Sequence, residues 1–236
     1  MRYAQAEEKR RSRAEGTVHM DSEHTQGFRP RTLGEEIASS LSHGVGLLAG
    51  IVATPFLIAA ANRRGDTQTV VCVGVFLVTL ILLYLSSTLY HAIPGGREKR
   101  FFEVLDNCAV FLLIGGTYTP LMLGFLRGTW GWSLFALVWA MAGAGVYLAT
   151  VCKLRYPVAS VFLCLAMGWL SLFALREIAV RMPRTGVLLI VAGGVAYTTG
   201  VAFWAAHRMR YSHLVWHLLV LVGTTCHFIV IYLYAT

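Results

Sequence analysis

What most constrains this chain is where charge is missing. No Asp, Glu, Lys or Arg occurs between Glu36 and Arg63, Asp66 and Arg97, Asp106 and Arg127, Arg127 and Lys153, Arg155 and Arg176, or Arg184 and Arg208, nor from Arg210 to the C-terminus. Each interval is roughly 20 residues or longer, the length an α-helix needs to cross a hydrocarbon core. Inside that core every backbone N–H and C=O must be paired within the segment, which leaves helices as the spanning element. The pattern therefore predicts an all-α integral membrane protein with seven transmembrane helices, over residues 40–61, 69–91, 106–126, 131–151, 157–175, 187–206 and 212–234.

Composition agrees with this reading. Only 14% of the residues are charged, against about 25% in soluble domains. The net charge of +8 does not point to nucleic acid, because the basic residues sit singly or in short groups between apolar stretches, where a membrane protein carries its anchors. Six of the 20 Lys and Arg (Arg63, Arg64, Arg127, Arg176, Arg181, Arg184) fall on one side of the predicted spans, and the rest fall on the side of the N-terminus. That bias predicts a cytoplasmic N-terminus, an external C-terminus and a multi-pass protein of the cell membrane. Residues 1–31 are polar, of mixed charge and without periodicity, and are expected to be a disordered cytoplasmic tail. Residues 32–236 form the transmembrane domain. No cleavable signal peptide is expected, since the first apolar stretch starts after Glu36 and is too long for a signal core.

Smaller signals fit around these spans. Thr32 and Glu35 have the spacing of a capping box, so a short helix is expected to start there and lead into the first span. Pro157 suits a first helical turn, and Pro55 and Pro120 are expected to kink spans one and three. Gly46 with Gly50, Gly115–Gly116, Ala140 with Gly143 to Gly145, and Gly193–Gly194 predict close helix packing. Cys72, Cys108, Cys152, Cys164 and Cys226 lie in or beside apolar stretches with no CxxC pair, and read as small apolar fillers. Trp130, Trp132, Tyr232 and Tyr234 fall where an aromatic belt would lie.

Ionisable residues inside a membrane are costly, so each is a functional candidate. Here they are few: Asp106, with His43, His91, His213, His217 and His227, and His207 at the end of span six. Span parity gathers four of them. His91 ends span two, Asp106 begins span three, and His213 and His217 begin span seven, so all four lie at one membrane end. His213 and His217, four residues apart, share a helix face. That spacing can put two imidazoles on one metal, with His91 as a third nitrogen. Three histidines and one open position are the ligand set of catalytic zinc, although iron, cobalt or nickel would also suit it. Asp106 could orient or deprotonate water there. Ser87, one turn before His91, could reach the same water or a substrate carbonyl. The competing reading is that these histidines only hydrogen-bond between helices. Glu36, Ser40 and His43 share a face at the same end of span one. Glu36 and His43 could support the ligands from behind or simply make interhelical hydrogen bonds. His227 lies about 15 Å further along its helix than His217, too far for the same metal, and a buried hydrogen bond is expected for it.

Four segments carry a resemblance. Ser86-Ser87-Thr88-Leu89-Tyr90-His91, Leu105-Asp106-Asn107 followed by Gly115-Gly116-Thr117-Tyr118-Thr119-Pro120, His213-Leu214-Val215-Trp216-His217, and Glu35 to Gly44 together resemble the hemolysin III family, the bacterial branch of the progestin and adipoQ receptors. The resemblance covers roughly residues 33–234. It implies seven helices with a cytoplasmic N-terminus, zinc held by His91, His213 and His217, Asp106 holding water at the zinc, and Ser87 close by. One departure stands out: relatives often have Asn where Ser39 or Ser40 stands, so either a serine gives the support that Asn would, or that support is missing. The wider superfamily includes alkaline ceramidases. The expected function is accordingly zinc-dependent hydrolysis of a membrane-lipid amide or ester. The alternative from another class is a non-enzymatic sensor or regulator of membrane lipid state, with structural zinc joining spans two, three and seven. A pore-forming cytolysin is a third reading, but the spans lack a polar helix face. Membrane lipids and zinc are the expected partners. The sequence does not specify substrate or oligomeric state.

Overall fold

A computed structural model describes residues 29–64, 66–206 and 208–236. Most of the predicted tail, up to residue 28, and His207 lie outside the described residues. Among the described residues, seven helices are long and apolar enough to cross a membrane: α1 Leu33–Arg63, α2 Thr67–Ala92, α3 Gly96–Leu126, α4 Gly128–Thr150, α5 Pro157–Arg181, α6 Arg184–Ala205 and α7 Ser212–Ala235. No strand occurs among the described residues. The chain is a multi-pass membrane protein.

The helices begin and end where local chemistry dictates. Thr32 and Glu35 close the predicted capping box, the Glu35 carboxylate accepting from the Thr32 N–H at 2.8 Å and the Thr32 hydroxyl accepting from the Glu35 N–H at 3.4 Å. No separate lead-in helix precedes the first span. The expected short helix is the first turns of α1, which continues past Pro55 to Arg63. α2 stops at Ala92 because Ile93, which precedes Pro94, is extended, as the proline ring requires of its neighbour. Pro157 takes the first turn of α5.

Three spans depart from regular α-helix, α7 by ending in a π-helical segment at Ile231–Ala235. At Pro120 α3 widens into a π-helical segment, Pro120–Leu126. Its loosened carbonyls are taken up locally: the Arg127 N–H donates to Met122 at 2.8 Å, Arg127 Nε to Gly124 at 2.9 Å, Arg181 to Leu126 at 2.8 Å and Gln68 to Leu123 at 3.1 Å. α5 tightens to a 3-10 turn at Leu170–Ala174. There the Tyr118 hydroxyl donates to the Gly168 carbonyl at 3.0 Å and accepts from the Ser171 N–H at 2.7 Å. Nothing in the local sequence of α5 announces this turn, and the partner that stabilises it comes from another helix.

α1 packs on α2 and α7, α2 on α3, α3 on α4, and α6 on α7. Lipid tails are as apolar as the helices, so association rests on close van der Waals fit. The predicted small-residue contacts do this. A Cβ on Gly46 would sit 2.6 Å from Leu221, one on Gly116 2.0 Å from Thr79 and one on Gly193 2.6 Å from His227. Gly143, by contrast, has nothing within 4 Å. α3 is the most buried span.

Candidate metal centre

The end of α2 and the start of α7 bring three imidazoles together. His91 and His217 are buried, His213 is half-buried, and one ligand atom from each lies within 4.8 Å of the others. His213 Nε2 stands 3.3 Å from His91 Nε2 and 3.1 Å from His217 Nε2. The i, i+4 spacing on α7 sets the second distance. Termination of α2 just past His91 sets the first. The three histidines could hold a metal ion.

The opposite edges of two rings are tied back. His91 Nδ1 lies 2.9 Å from the Glu36 carboxylate. A carboxylate only accepts, so Nδ1 carries the proton and Nε2 keeps its lone pair. His217 Nδ1 lies 3.2 Å from the Ser39 carbonyl, which also only accepts, and again Nε2 is left free. The Ser42 hydroxyl, 3.3 Å from His217 Nδ1, donates to the same Ser39 carbonyl at 2.7 Å. Fixing the tautomer through the far nitrogen is how metal-binding histidines are normally oriented.

Of the two supporting residues predicted on α1, Glu36 touches a ligand through a hydrogen bond. It is also held by Lys99, whose ammonium is 3.2 Å away and bonds the Tyr90 and Ile93 carbonyls at 3.1 and 3.0 Å. His43 supports by stacking instead: its ring lies 3.7 Å from that of His217, tilted by 10°, with Tyr84 edge-on at 5.2 Å. Neither His43 nitrogen has a hydrogen-bond partner among the described residues. Of the two alternatives left open at residues 39 and 40, neither serine side chain hydrogen-bonds a ligand histidine among the described residues. Ser40 donates to the Thr88 carbonyl, and the contact at residue 39 is made by its backbone. Ser42 and this carbonyl were not foreseen. A backbone acceptor has no residue signature, and the only hint was that residues 36, 40 and 43 share a helix face.

Asp106 and Ser87 lie beside the cluster but outside the group of ligand atoms. The Ser87 hydroxyl is buried, without a well-formed hydrogen bond among the described residues, and the Asp106 carboxyl is near enough to interact with it. Both line a cavity of about 140 Å³, together with His43, His213 and His217. The cavity continues between the spans to Leu121, Met122 and Ile178. Asp106 and Leu121 are fifteen residues apart on α3, so it extends about 22 Å into the bundle. Its walls are chiefly apolar, and the turn of α5 at Ser171 and Leu172 forms part of them. His227 lies on the wall away from the cluster, its Nε2 bonded to the Ile190 carbonyl at 3.3 Å, as expected of a buried hydrogen bond.

A family model described as Haemolysin-III related matches residues 31–228. The "Hemolysin-3 homolog" of Bacillus subtilis (strain 168) is 37% identical over 203 residues, covering 86% of this chain and 95% of that protein. "Hemolysin-3" of Bacillus cereus is 37% identical over 200 residues, 85% of this chain and 91% of its own. More distantly, "Monocyte to macrophage differentiation factor" of Homo sapiens is 23% identical over 218 residues, 88% and 87% of the two chains.

Proposed function

Because this chain belongs to the haemolysin-III related family, we propose that it is a zinc-dependent hydrolase of a membrane-lipid amide or ester, set in the cell membrane with the histidine end of the bundle facing the cytoplasm. The observation that carries the proposal is the convergence of three imidazole nitrogens at the end of a long apolar cavity, with a carboxyl and a hydroxyl beside them. The donor set suits zinc in kind, three imidazole nitrogens, with two of the three pairs 3.1 and 3.3 Å apart and all three atoms within 4.8 Å of one another. When bound, zinc supplies Lewis acidity that polarises a carbonyl and acidifies water.

The chain's own residues do the rest. The Nε2 atoms of His91, His213 and His217 would hold the ion. The cavity takes up an acyl chain and keeps water away from it. An Asp106 carboxylate oxygen accepts the proton of the attacking water and returns it to the leaving nitrogen or oxygen. The Ser87 hydroxyl donates to the carbonyl oxygen as that atom gains charge. Purified protein is assayed against a panel of lipid amides and esters, alongside Asp106→Ala, with metal content measured in both. Turnover by the wild type that is lost in the variant, at unchanged metal content, is the expected result. Equal turnover by both sinks the mechanism.

A second reading has one observation in its favour. The ligands come from the ends of two different helices, α2 and α7, so a bound ion would clamp the two together. A sensor of membrane lipid state with structural zinc predicts a large fall in melting temperature on chelation and no lipid product. Lysis, suggested by the Bacillus relatives' names, finds little support, because the chiefly apolar cavity is unlike a water-filled pore.

A further inference from the structure

Two hollows share His213 as a wall. One is the apolar cavity. The other, of about 40 Å³, is lined by Arg29, Arg31, Glu35, Trp204, Ser212 and His213. A lipid with its chain in the first hollow and its carbonyl at the three nitrogens would send its remaining group into the second.

The second hollow has the chemistry of an anion site. Glu35 is already saturated: it accepts from the Thr32 N–H and hydroxyl at 2.8 and 2.9 Å, from the Tyr211 N–H at 2.8 Å, and from Arg29. Arg29 nevertheless keeps its Nε–H buried and without a partner among the described residues. Arg31 is held loosely, 3.5 Å from the Tyr90 hydroxyl and 3.6 Å from Glu36, both longer than the 2.7–2.9 Å of a good charge-assisted bond. Both guanidinium groups thus have donors to spare. α7 adds to them. It starts after Tyr211 with no side-chain cap; the Tyr211 N–H is taken by Glu35 and the Ser212 N–H by the Met209 carbonyl at 3.4 Å, which leaves the next N–H groups of the first turn, from His213, at the positive end of the dipole. Arg29, Arg31 and Lys99 outnumber Glu35 and Glu36 around this end of α1.

We propose that this hollow binds the phosphate of a lipid headgroup, through the forks of Arg29 and Arg31 with the start of α7, so that the lipid this site takes is an anionic amphiphile. Guanidinium forks match the oxygens of phosphate in pairs, as a lysine cannot. The inference rests on the hydrolase reading only for the direction in which the lipid lies.

The test uses the full chain in maltoside micelles. Binding of dihexanoyl phosphatidic acid is measured by calorimetry, with dihexanoylglycerol and inorganic phosphate as comparison arms, for wild type, Arg31→Gln, Arg31→Lys and the double variant Arg29→Gln/Arg31→Gln. The expected result is that phosphatidic acid binds about tenfold or more tightly than the neutral lipid. The double variant should lose about that factor, as removal of charge-assisted bonds predicts, and Arg31→Lys should recover only part of the loss in Arg31→Gln. Equal binding of the charged and neutral lipids overturns the proposal, as does a folded double variant of unchanged affinity. Inorganic phosphate binding as tightly as phosphatidic acid overturns the lipid assignment in favour of a free-anion site. If the double variant does not fold, Arg31→Gln decides alone, since its native contacts are long. Binding with no turnover of any lipid fails the hydrolase reading alone, and turnover indifferent to headgroup charge fails this one alone.

Discussion

Replacing Glu36 should weaken metal binding at a site to which Glu36 supplies no ligand. Its carboxylate lies 2.9 Å from His91 Nδ1 and is itself 19% exposed, whereas the His91 side chain is fully buried. Water therefore cannot take over the hydrogen bond on the histidine side. Without the acceptor, His91 can turn, or move its proton to Nε2, where the lone pair is needed. Loss of such an outer partner typically costs 10–100-fold in metal affinity, or about 1.4–2.7 kcal/mol. Glu36→Ala should fall in that range. Glu36→Gln keeps an oxygen acceptor but not its charge, and should fall between wild type and alanine. Both changes release Lys99, which bonds the same carboxylate at 3.2 Å, so Lys99→Met is the control and should bind zinc like the wild type. The assay is competition for zinc against a chromophoric chelator, with purified protein in detergent. Affinity of Glu36→Ala within about threefold of wild type would refute the reasoning, and so would a loss in Lys99→Met equal to that in Glu36→Ala.

Other expectations follow from packing and charge. Gly116→Ala puts a Cβ 2.0 Å from the Thr79 hydroxyl, and overpacking of this kind should destabilise by about 1–3 kcal/mol; a melting temperature in detergent equal to wild type would contradict it. Tyr118→Phe strands the Ser171 N–H and the Gly168 carbonyl, which the phenol bridges at 2.7 and 3.0 Å. The expected cost is about 1–3 kcal/mol, with faster proteolysis within α5 as the local sign. At the opposite membrane end the Arg127 guanidinium beside Asp66 holds its carboxyl below the usual 3.8. A group whose pKa is lowered by folding stabilises above its unfolded value and loses that contribution as pH falls through the folded one. The melting-temperature gap between wild type and Asp66→Asn should therefore be present at neutral pH, small because the pair is exposed, and should close below the ordinary aspartate range.

Much of this was legible in the sequence, and the exceptions share a cause. Span number and order followed from missing charge, because a membrane penalises charge wherever it falls. The capping box placed the helix start at Thr32 correctly, but the span drawn from residue 40 left out the first turns of α1 for the same reason. Glu35 and Glu36 looked like an outer boundary, yet both lie inside Leu33–Arg63, since Thr32, Tyr211, His91 and Lys99 satisfy them there. The meeting of His91 with His213 and His217 could be inferred from span parity and an i, i+4 pair, two regularities that survive without knowledge of side-chain packing. The Ser39 carbonyl, the stacking of His43 on His217 and the turn of α5 under Tyr118 depend on which helix lies against which and at what rotation. Such relations across long sequence separations leave no local pattern.

α1 illustrates how a helix without a ligand can govern a metal centre. It presents Glu36 to His91, the Ser39 carbonyl to His217 and the ring of His43 to the face of His217, so both ends of the histidine cluster are set from one rigid element. Gly46, three residues past His43, lets the same helix approach Leu221 and Tyr84. A side chain there would push α1 away from α2 and α7 together. The spacing of the nitrogens is thus coupled to the packing of α1, and bulk added at Gly46 should loosen metal binding even though Gly46 lies remote from the ligand atoms.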